Sequence, residues 1–526
     1  MYPGTHAITH PDKLAVLMVD SGASRTYAEL DERSARLARV LHDAGLRRGD
    51  HIAFLAHNGP EVFEVYWAAL RSGLYVTGIN HHLAPAEAGY ILEDCGAQAL
   101  IVGVEVAELA GGLLAHASRV GTRLAFGGDV TGFASYETAL DGASPEPLAD
   151  QPRGADMLYS SGTTGRPKGV KPALPDRQVG DPGDPFTAVF GGMYAFDPET
   201  VYFSSAPTYH AAPLRFGGIV HALGGTVLMA RRFDAVETLD VIEKHRVTHA
   251  QFVPTMFVRM LKLPEAERAS RDMSSLKVAV HAAAPCPVEV KRAMMDWWGP
   301  ILHEYYASTE GNGITLIGPD DWQRKPGSVG KAGLGILHVC DQETEAELPT
   351  GEVGTVYFER DVAPFEYHND PVKSREARHP EHEHWTTTGD VGYVDEDGFL
   401  FLTDRTAFMI ISGGVNIYPR EIEDCLTLHP QVADVAVIGV PDEEMGEQVK
   451  AVVQLPEGQE GTPELAAELL TFVREQIAHY KAPRTVDFVD QLPRTETGKL
   501  VKRVLRDAYL DGAPPVSSEV PAGAAS

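Results

Sequence analysis

The sequence predicts an α/β protein. We expect a large N-terminal domain of helix-covered, mostly parallel sheets with an antiparallel β subdomain, followed by a small C-terminal α+β domain. Short apolar runs alternate with amphipathic helical patterns from the N-terminus to about residue 284, which is typical of parallel sheets. After residue 404 the pattern changes to short strands and helices over about 100 residues, the size of a separate domain.

These changes of pattern set the predicted domain limits. We expect the N-terminal domain at 1–403, a hinge at 404–407 and the C-terminal domain at 408–510. Residues 511–526 are small, polar and rich in proline, so they predict a disordered tail. The stretch "KPALPDRQVGDPGDP" (171–185) predicts an exposed loop, because proline, glycine and aspartate favour turns.

Individual elements follow from local signals. Thr26 with Glu29 three residues later predicts a capping box at the start of a helix, and Gly45 predicts its end. The apolar run "HIAFLA" (51–56) predicts a buried strand. Further strands are predicted at "YVTGIN", "QALIVG", "TVYFSSAP", "GTVLMA", "THAQFVP" and "LKVAVHAAA", and antiparallel hairpins within "WTTTGDVGYVDEDGFLFLTDRTAFMIISGG".

Composition narrows the function classes. The 526 residues carry a formal net charge of −29, which would repel nucleic acids and anionic membrane surfaces. No apolar run is long enough to span a membrane, and no signal peptide is recognisable, so we expect a cytoplasmic protein. Cysteines are scattered without metal-ligand or disulfide-framework spacing, which fits a reducing compartment; they are Cys95, Cys286, Cys340 and Cys425.

The stretch "SSGTTGRPKG" (160–169) has the composition of a phosphate-binding loop. It is not a Walker A motif, because Lys168 follows a proline and precedes a glycine rather than serine or threonine. Hydroxyl groups can donate to phosphate oxygens, glycine lets the backbone approach, and Lys168 supplies positive charge. The predicted phosphate-binding residues are Ser160, Ser161, Gly162, Thr163, Thr164 and Lys168.

Six motifs in order resemble those of the adenylate-forming superfamily, which includes acyl- and aryl-CoA synthetases, luciferases and peptide-synthetase adenylation domains. The resemblance implies AMP-forming activation of a carboxylic acid by ATP, followed by transfer of the acyl group to CoA. It also implies Mg²⁺ as a cofactor and a C-terminal domain that rotates between the two steps. The motifs are "YSSGTTGRPKG" (159–169), "APTYH" (206–210), "YYASTEG" (305–311), "TTGD" (387–390), "DRTAFMIISGGVNIYPREIE" (404–423) and "PRTETGK" (493–499).

The resemblance also implies roles for single residues. Lys499 would be catalytic, bridging the substrate carboxylate and the α-phosphate, and His210 would lie beside the acyl site. Glu310 would bind Mg²⁺, for which one or two carboxylates with phosphate oxygens suffice. The nucleotide contacts would be Ala283, Ala284 and Tyr306 at adenine, Thr309 at phosphate, Asp390 at the ribose hydroxyls and Arg405 before the small domain; Gly413 and Gly414 would line the pantetheine tunnel.

Several alternatives stay open at this stage. Tyr209, Phe252 and Phe257 are predicted to line the acyl pocket, but their spacing fits a core equally well. Ala407 stands where relatives often carry a hinge aspartate or lysine, and Gly413 stands where plant-type ligases carry a CoA-contacting lysine. These departures favour, as the runner-up, an amide bond synthetase that transfers the acyl group to an amine.

Other readings carry less weight. The resemblance also leaves open a luciferase-like oxygenase, a non-catalytic nucleotide-binding relative and a stand-alone adenylation unit. The histidines at 379, 382 and 384 could hold a structural metal, although their acidic loop favours none. The expected partners are a carboxylic acid, ATP and CoA or an amine, without nucleic acid or membrane insertion, and a homodimer is left open.

Overall fold

The computed structural model describes residues 1–160, 167–405, 408–412, 415–442, 445–494, 500–510 and 518–521. The chain forms two compact units, each assembled from separate segments. The first comprises Met1–Ala282, Met294–Ile314 and Arg360–Glu376, and the second comprises Ala283–Ala293, Thr315–Glu359 and Ala377–Ser526. The predicted hinge at 404–407 includes Thr406 and Ala407, which lie outside the described residues, so that boundary stays a prediction.

Strands and helices alternate along most of the chain. The strands are β1 Leu14–Met18, β2 Ser24–Thr26, β3 His51–Leu55, β4 Tyr75–Gly78, β5 Ala99–Gly103, β6 Thr122–Phe126, β7 Ala134–Ser135, β8 Ala155–Asp156, β9 Leu158–Ser160, β10 Lys168–Lys171, β11 Val201–Ser204, β12 Thr226–Met229, β13 His249–Phe252, β14 Val278–His281, β15 Leu302–Ala307, β16 Ile314–Ile317, β17 Lys331–Leu334, β18 Ile336–Cys340, β19 Gly354–Glu359, β20 Glu366–Tyr367, β21 Trp385–Thr386, β22 Asp390–Val394, β23 Leu400–Arg405, β24 Ile410–Ser412, β25 Val415–Ile417, β26 Asp434–Asp442, β27 Gly446–Gln454, β28 Thr485–Val489 and β29 Ser518–Pro521. The helices are α1 Pro3–Thr9, α2 Tyr27–Asp43, α3 Pro60–Leu70, α4 Pro85–Asp94, α5 Ala107–Leu113, α6 Tyr136–Asp141, α7 Pro185–Tyr194, α8 Ala211–Leu223, α9 Ala235–His245, α10 Pro254–Leu261, α11 Glu265–Ala269, α12 Val288–Trp298, α13 Pro319–Arg324, α14 Pro371–Glu376, α15 Pro419–Thr427, α16 Pro463–Gln476 and α17 Lys502–Leu510.

The start of α2 shows why the local signals work. The Thr26 hydroxyl accepts a hydrogen bond from the backbone N–H of Glu29 at 3.2 Å, and the Glu29 carboxylate accepts one from the Thr26 N–H at 2.8 Å. The predicted capping box is therefore confirmed, and it satisfies two backbone donors that the helix cannot pair itself. Gly45, just after the helix, has a φ of 100°, which glycine adopts without steric cost.

Two parallel sheets build the first unit, as the rhythm of the sequence predicts. One has the order β7-β6-β5-β3-β4-β8, and every neighbouring pair is parallel. The other includes the order β15-β14-β13-β11-β12-β1, again parallel throughout, and ends on β2, which is antiparallel to β1. Because parallel strands share a direction, the carboxyl ends of β11, β13, β14 and β15 meet at one edge.

The second unit contains the predicted antiparallel strands and a C-terminal sheet. β18, β19, β22 and β23 form one antiparallel sheet, with β21 paired to β19. A second sheet has the order β25-β24-β27-β28-β29, with β26 also paired to β27. α15 and α16 pack their apolar residues against this sheet in one buried cluster.

One terminal strand differs from the expected disordered tail. Ser518–Pro521 pair antiparallel with β28, whereas the neighbouring residues 511–517 and 522–526 lie outside the described residues. An edge strand exposes unpaired backbone groups, and an added strand satisfies them even when its side chains contribute little. The composition of the tail carries no sign of this backbone pairing. Among the described residues, no helix is long and apolar enough to cross a membrane.

His221 fixes helix α8 against the rest of the first unit. The indole N–H of Trp67 donates to His221 Nδ1 at 3.3 Å, so Nε2 must carry the proton that is donated to the carbonyl of Ala15 at 3.0 Å. The side chain is fully buried, and this burial lowers the pKa of His221 to about 3, although the bond to Ala15 raises it slightly. His221 is therefore held neutral in the folded protein.

This burial predicts an acid-sensitive contribution to stability. Below the ordinary histidine pKa of about 6.5, the unfolded chain binds a proton that the folded protein cannot bind until near pH 3. The free energy of unfolding should therefore fall by about 1.4 kcal/mol per pH unit from this group alone. We expect urea unfolding of His221→Gln to show a shallower slope between pH 6.5 and 4.5. Equal slopes of the free energy of unfolding against pH in the two proteins would contradict the assignment of a neutral His221. The difference between their free energies of unfolding at pH 8 gives the packing cost of the substitution separately.

Candidate active site

The carboxyl edge of the second parallel sheet gathers several predicted site residues. The chain leaves β11 towards His210, β13 ends at Phe252, and β15 is followed directly by Ser308, Thr309 and Glu310. Ligands of open α/β sheets bind at this edge, because the loops there converge. The first unit therefore brings residues of the predicted acyl, adenine and metal motifs to one edge of a sheet.

The predicted phosphate loop closes an antiparallel hairpin. β9 and β10 pair so that Ser160 lies opposite Lys168, which brings the two ends of the loop together. A Cβ on Gly169 would lie 3.0 Å from the ring of Tyr159 and 3.2 Å from Cβ of His368, so a larger residue would have to displace these neighbours slightly. The loop residues Ser161, Gly162, Thr163 and Thr164 lie outside the described residues, and their contacts stay predictions.

Tyr367 connects the phosphate hairpin to the metal motif. Its backbone pairs with Val170 of β10, and Lys168 Nζ lies 4.9 Å from the centre of its ring. Its hydroxyl donates a 3.0 Å hydrogen bond to Oε1 of Glu310. Lys168 and Glu310 thus contact the same tyrosine. Among the described contacts, no ion pair joins the two. No sequence pattern points to Tyr367, because it lies more than 50 residues from either partner.

A tight turn presents Thr309 and Glu310. The N–H of Gly311 donates to the carbonyl of Ser308 at 3.1 Å, and Gly311 has a φ of 64°, in the left-handed region that favours glycine. The Ser308 hydroxyl donates to Asn312 Oδ1 at 2.8 Å, which fixes the far side of the turn. Both site residues are half-buried, as is Tyr306 before them, so they are reachable from solvent.

Asn58 holds the loop that carries Tyr209 and His210. Its amide nitrogen donates to the carbonyls of Ala206 and Ala230 at 3.1 and 2.9 Å. Its carbonyl oxygen accepts from the N–H and the hydroxyl of Thr208 at 2.9 and 3.0 Å. Three of these bonds hold the loop from the first sheet, and the fourth holds Ala230 just after β12. No local pattern in the sequence reveals this role.

Close packing supports the same loop from β4. A Cβ on Gly78 would lie 2.8 Å from Cα of Tyr209, so a larger residue would push the backbone. The ring of His81 lies edge-on to Tyr209 with centroids 5.3 Å apart, and Tyr209 in turn contacts the His210 ring at 4.5 Å. Burial, together with His57 and His82, lowers the pKa of His81 to about 3. A neutral His81 therefore faces the candidate acyl site at physiological pH.

Phe252 and Phe257 lie in a buried aromatic cluster. Their ring centres are 5.4 Å apart, and the Trp298 ring is 5.4 Å from Phe252. Both side chains are almost completely buried, so their assignment to the acyl wall stays a prediction. The sequence analysis does not predict α7, where the rings of Phe186 and Phe190 stack with their centroids 6.5 Å apart.

The residues after β14 adopt an unusual backbone. Ala283 has a φ of 73°, which costs a non-glycine residue about 1 kcal/mol or more. Such strain is concentrated at binding and catalytic sites. Ala284 follows in the same segment, and the adenine contact of both alanines stays a prediction.

The second unit positions Asp390 and Arg405 together. They are directly paired on the antiparallel strands β22 and β23. Asp390 is buried, and Oδ2 of its carboxylate accepts a 2.8 Å hydrogen bond from the Thr388 hydroxyl. Gly389 before it has a φ of 79°, which allows the sharp turn into the strand. Backbone pairing thus brings a predicted ribose ligand beside a predicted nucleotide contact.

Three further predicted site residues lie outside the described residues: Lys499, Gly413 and Gly414. The catalytic role of Lys499 and the place of the two glycines in the tunnel wall therefore stay predictions. The histidine-rich segment is described. His379 Nδ1 accepts backbone N–H groups from Glu381 and His382, and its Nε2 donates to the carbonyl of Glu345 at 2.8 Å. Within the described ranges, no group of three or more ligand side chains could hold a metal ion.

Known proteins share this fold and these motifs. The family model of the AMP-binding enzyme matches residues 5–362, and that of the AMP-binding enzyme C-terminal domain matches 421–499. A feruloyl-CoA synthase of Amycolatopsis is 33% identical over 93% of this chain and 94% of its own. The long-chain-fatty-acid–CoA ligase FadD13 of Mycobacterium tuberculosis is 30% identical over 96% and 97%. The solved amide bond synthetase McbA of Marinactinospora thermotolerans is 26% identical, with a TM-score of 0.80 over 96% of this chain and 99% of its own.

A strand hairpin that carries the predicted phosphate loop, together with an acidic loop at the carboxyl edge of a parallel sheet, is expected of a nucleotide-binding enzyme of the adenylate-forming class. The chain belongs to the AMP-binding enzyme family, whose model covers more than half of its length. The superfamily resemblance and the α/β fold are therefore confirmed.

The Tyr367 hydroxyl provides a direct test of the site. Tyr367→Phe keeps the ring beside Lys168 but removes the donor to Glu310. Because a hydrogen bond to a charged group contributes about 1.5–3 kcal/mol, we expect Mg·ATP to bind about 10-fold more weakly by calorimetry. Tyr357→Phe is the matched control, since it removes an equivalent 2.8 Å bond to Glu345 in the second unit. Equal losses in the two variants would contradict the assignment.

Proposed function

We propose that the protein activates a carboxylic acid with ATP and transfers the acyl group from the acyl-adenylate to CoA. The observation that carries the proposal is the arrangement of Lys168, Tyr367 and Glu310, which joins a phosphate hairpin to an acidic loop. Family membership and CoA ligase relatives support an AMP-forming acyl-CoA synthetase. The identity of the acid is not part of the proposal, since the named relatives act on different acids.

In the first step, an oxygen of the substrate carboxylate forms a bond to the α-phosphorus of ATP. The bond from that phosphorus to the bridging oxygen breaks, and pyrophosphate leaves with the electron pair. Both reactants are anions, so local positive charge must offset their repulsion in a chain of net charge −29. Lys168 at the base of the hairpin supplies one such charge beside the leaving phosphates.

The residues present fit a magnesium ion. Mg²⁺ is commonly bound by one or two carboxylates together with phosphate oxygens and water. Glu310 supplies a half-buried carboxylate, and its hydrogen bond from Tyr367 orients the carboxylate through Oε1. When bound, the ion would neutralise charge on the polyphosphate. Lys168 and the hairpin would orient the same phosphates from the protein side.

In the second step, the CoA thiol attacks the carbonyl carbon of the acyl-adenylate. A carbon–sulfur bond forms, the carbon–oxygen bond to AMP breaks, and the thiol proton leaves to solvent or a nearby base. Asp390 would keep AMP in place through its ribose hydroxyls, because a carboxylate accepts two hydrogen bonds at once. Gly413 and Gly414 would line the pantetheine tunnel.

Transfer to an amine is the second candidate function. It shares the first step, and the similarity to the amide bond synthetase McbA supports it. Ala407 and Gly413 favour it as well, because both depart from the ligase pattern. Transfer to CoA is preferred, because the named sequence relatives at 30–33% identity are CoA ligases.

Lys499 carries the test of the first step. Removing its charge by Lys499→Ala should lower acid-dependent pyrophosphate release by at least about 100-fold, since a preorganised charge at the reacting group contributes roughly 3–4 kcal/mol. Lys481→Ala is the control, because Lys481 lies in the same unit and contacts Glu421 and the Tyr480 ring, neither of which is a predicted site residue. Full pyrophosphate release in the Lys499 variant would contradict the role proposed for it.

The products of the wild-type enzyme identify the molecule that accepts the acyl group. We expect mass spectrometry to detect an acyl-CoA thioester when CoA is supplied with ATP and an accepted acid. An amide from a supplied amine, with no thioester from CoA, would replace the leading function by the second candidate.

A further inference from the structure

A half-buried ion pair follows the loop that carries Tyr209 and His210 (the acyl loop), and it has no part in the chemistry described so far. Arg215 lies on α8, five residues after His210, and Asp156 ends β8. Nε and Nη2 of the guanidinium donate to the same carboxylate oxygen, Oδ2 of Asp156, at 2.9 and 2.7 Å. Burial opposes the charge on Arg215, but the carboxylate of Asp156 outweighs it, so the pKa of Arg215 is raised. The arginine therefore stays charged.

The pair borders the candidate site on two sides. Asp156 lies four residues before Ser160, the last residue of β9 before the predicted phosphate loop. The guanidinium lies 5.5 Å from the centre of the Phe186 ring, and that ring reaches within 3.6 Å of the position a Cβ would take on Gly311, next to the metal motif. Arg215 thus lies among the acyl loop, the hairpin and the Glu310 turn, all within the first unit.

The ion pair leaves some hydrogen-bonding atoms of Arg215 and Asp156 without a partner among the described residues. Its geometry engages one oxygen of Asp156, and among the described residues neither Oδ1 of Asp156 nor Nη1 of Arg215 forms a hydrogen bond. The pair is not sealed in the core, since 19% of the Arg215 side chain and 13% of the Asp156 side chain remain accessible. An apolar wall of Phe186 with one donor and one acceptor left over is typical of a subsite that orients a substrate.

We propose that Arg215 and Asp156 form a polar subsite of the acyl pocket that binds a hydroxyl group of the substrate acid, remote from the reacting carboxylate. A hydroxyl accepts one hydrogen bond and donates another, which matches the free Nη1 donor and Oδ1 acceptor. The inference rests on the proposed acyl activation and names the substrate class.

The charge of the pair distinguishes a hydroxyl from a second carboxylate. Asp156 neutralises Arg215, so the subsite carries no net charge to attract an anion. A carboxylate placed there would meet Asp156 as a like charge, which is costly at hydrogen-bonding distance. A plain hydrocarbon would leave the two polar groups desolvated without partners. A neutral hydroxyl avoids both costs.

Matched acids test the subsite. Each set shares one skeleton and differs only at its far end: benzoic, 4-hydroxybenzoic and terephthalic acids, and octanoic, 8-hydroxyoctanoic and suberic acids. We expect the wild-type enzyme to favour the hydroxy acid of an accepted set over both others by at least about 10-fold in kcat/KM for pyrophosphate release, because sites built for a hydroxyl reject analogues that lack it. A preference for the unsubstituted acid or the diacid would overturn the proposal.

Variants link the preference to the pair. Arg215→Met together with Asp156→Leu removes both charges while keeping apolar volume, and we expect it to abolish or reverse the hydroxyl preference. Arg271→Met is the control, because Arg271 pairs with Asp240 on the surface of the same unit. A folding defect would lower activity with every acid but would leave the ratio unchanged, and an unchanged ratio in a folded double variant would overturn the proposal.

Binding separates this inference from the function on which it rests. Calorimetric affinities of the matched acids for the wild-type enzyme need no turnover, and we expect them to show the same order. Acid binding with a hydroxyl preference but without pyrophosphate release would support the subsite and contradict the proposed reaction. Pyrophosphate release without any hydroxyl preference would support the proposed reaction and contradict the subsite.

Discussion

Repulsion between two anions is the constraint on which this site depends. A carboxylate must approach a triphosphate inside a chain that carries a formal net charge of −29. Bulk charge therefore hinders the reaction, and positive charge has to be placed locally. Lys168 lies at the base of a strand hairpin, and Tyr367 keeps the cation of Lys168 and the carboxylate of Glu310 on opposite parts of one side chain. This arrangement leaves both groups available to a polyphosphate and its counterion.

The fold keeps these groups in place by tying loops to strands. The acyl loop is held by three hydrogen bonds of Asn58 and by the close approach of Gly78 to Tyr209. α8, which follows that loop, is fixed by the neutral His221 between Trp67 and Ala15. Fixed groups need no reorganisation when charge develops, which is the physical source of electrostatic catalysis. Arg215 lies on the same helix, α8.

Local sequence patterns and the order of the motifs predicted much of the fold and the chemistry. The capping box at Thr26 acts within one helical turn, and the alternation of strands and helices reports burial directly, so both were predicted correctly. The order of six motifs indicated the chemistry, because each motif carries its own residue types in sequence. Asn58, Tyr367 and Arg215 were missed because their partners lie 57 to 199 residues away, and such pairs leave no periodic pattern. The strand at 518–521 was missed because backbone pairing, rather than side-chain composition, forms it.

The central claim is that a substrate carboxylate attacks the α-phosphorus of ATP. The most direct measurement supplies an accepted acid whose carboxylate is labelled with ¹⁸O and follows the label by mass spectrometry. In this account the attacking oxygen stays on the phosphorus when the acyl group moves to its acceptor. AMP should therefore carry one ¹⁸O atom from each turnover. Unlabelled AMP, or label in inorganic phosphate together with ADP, would contradict the account.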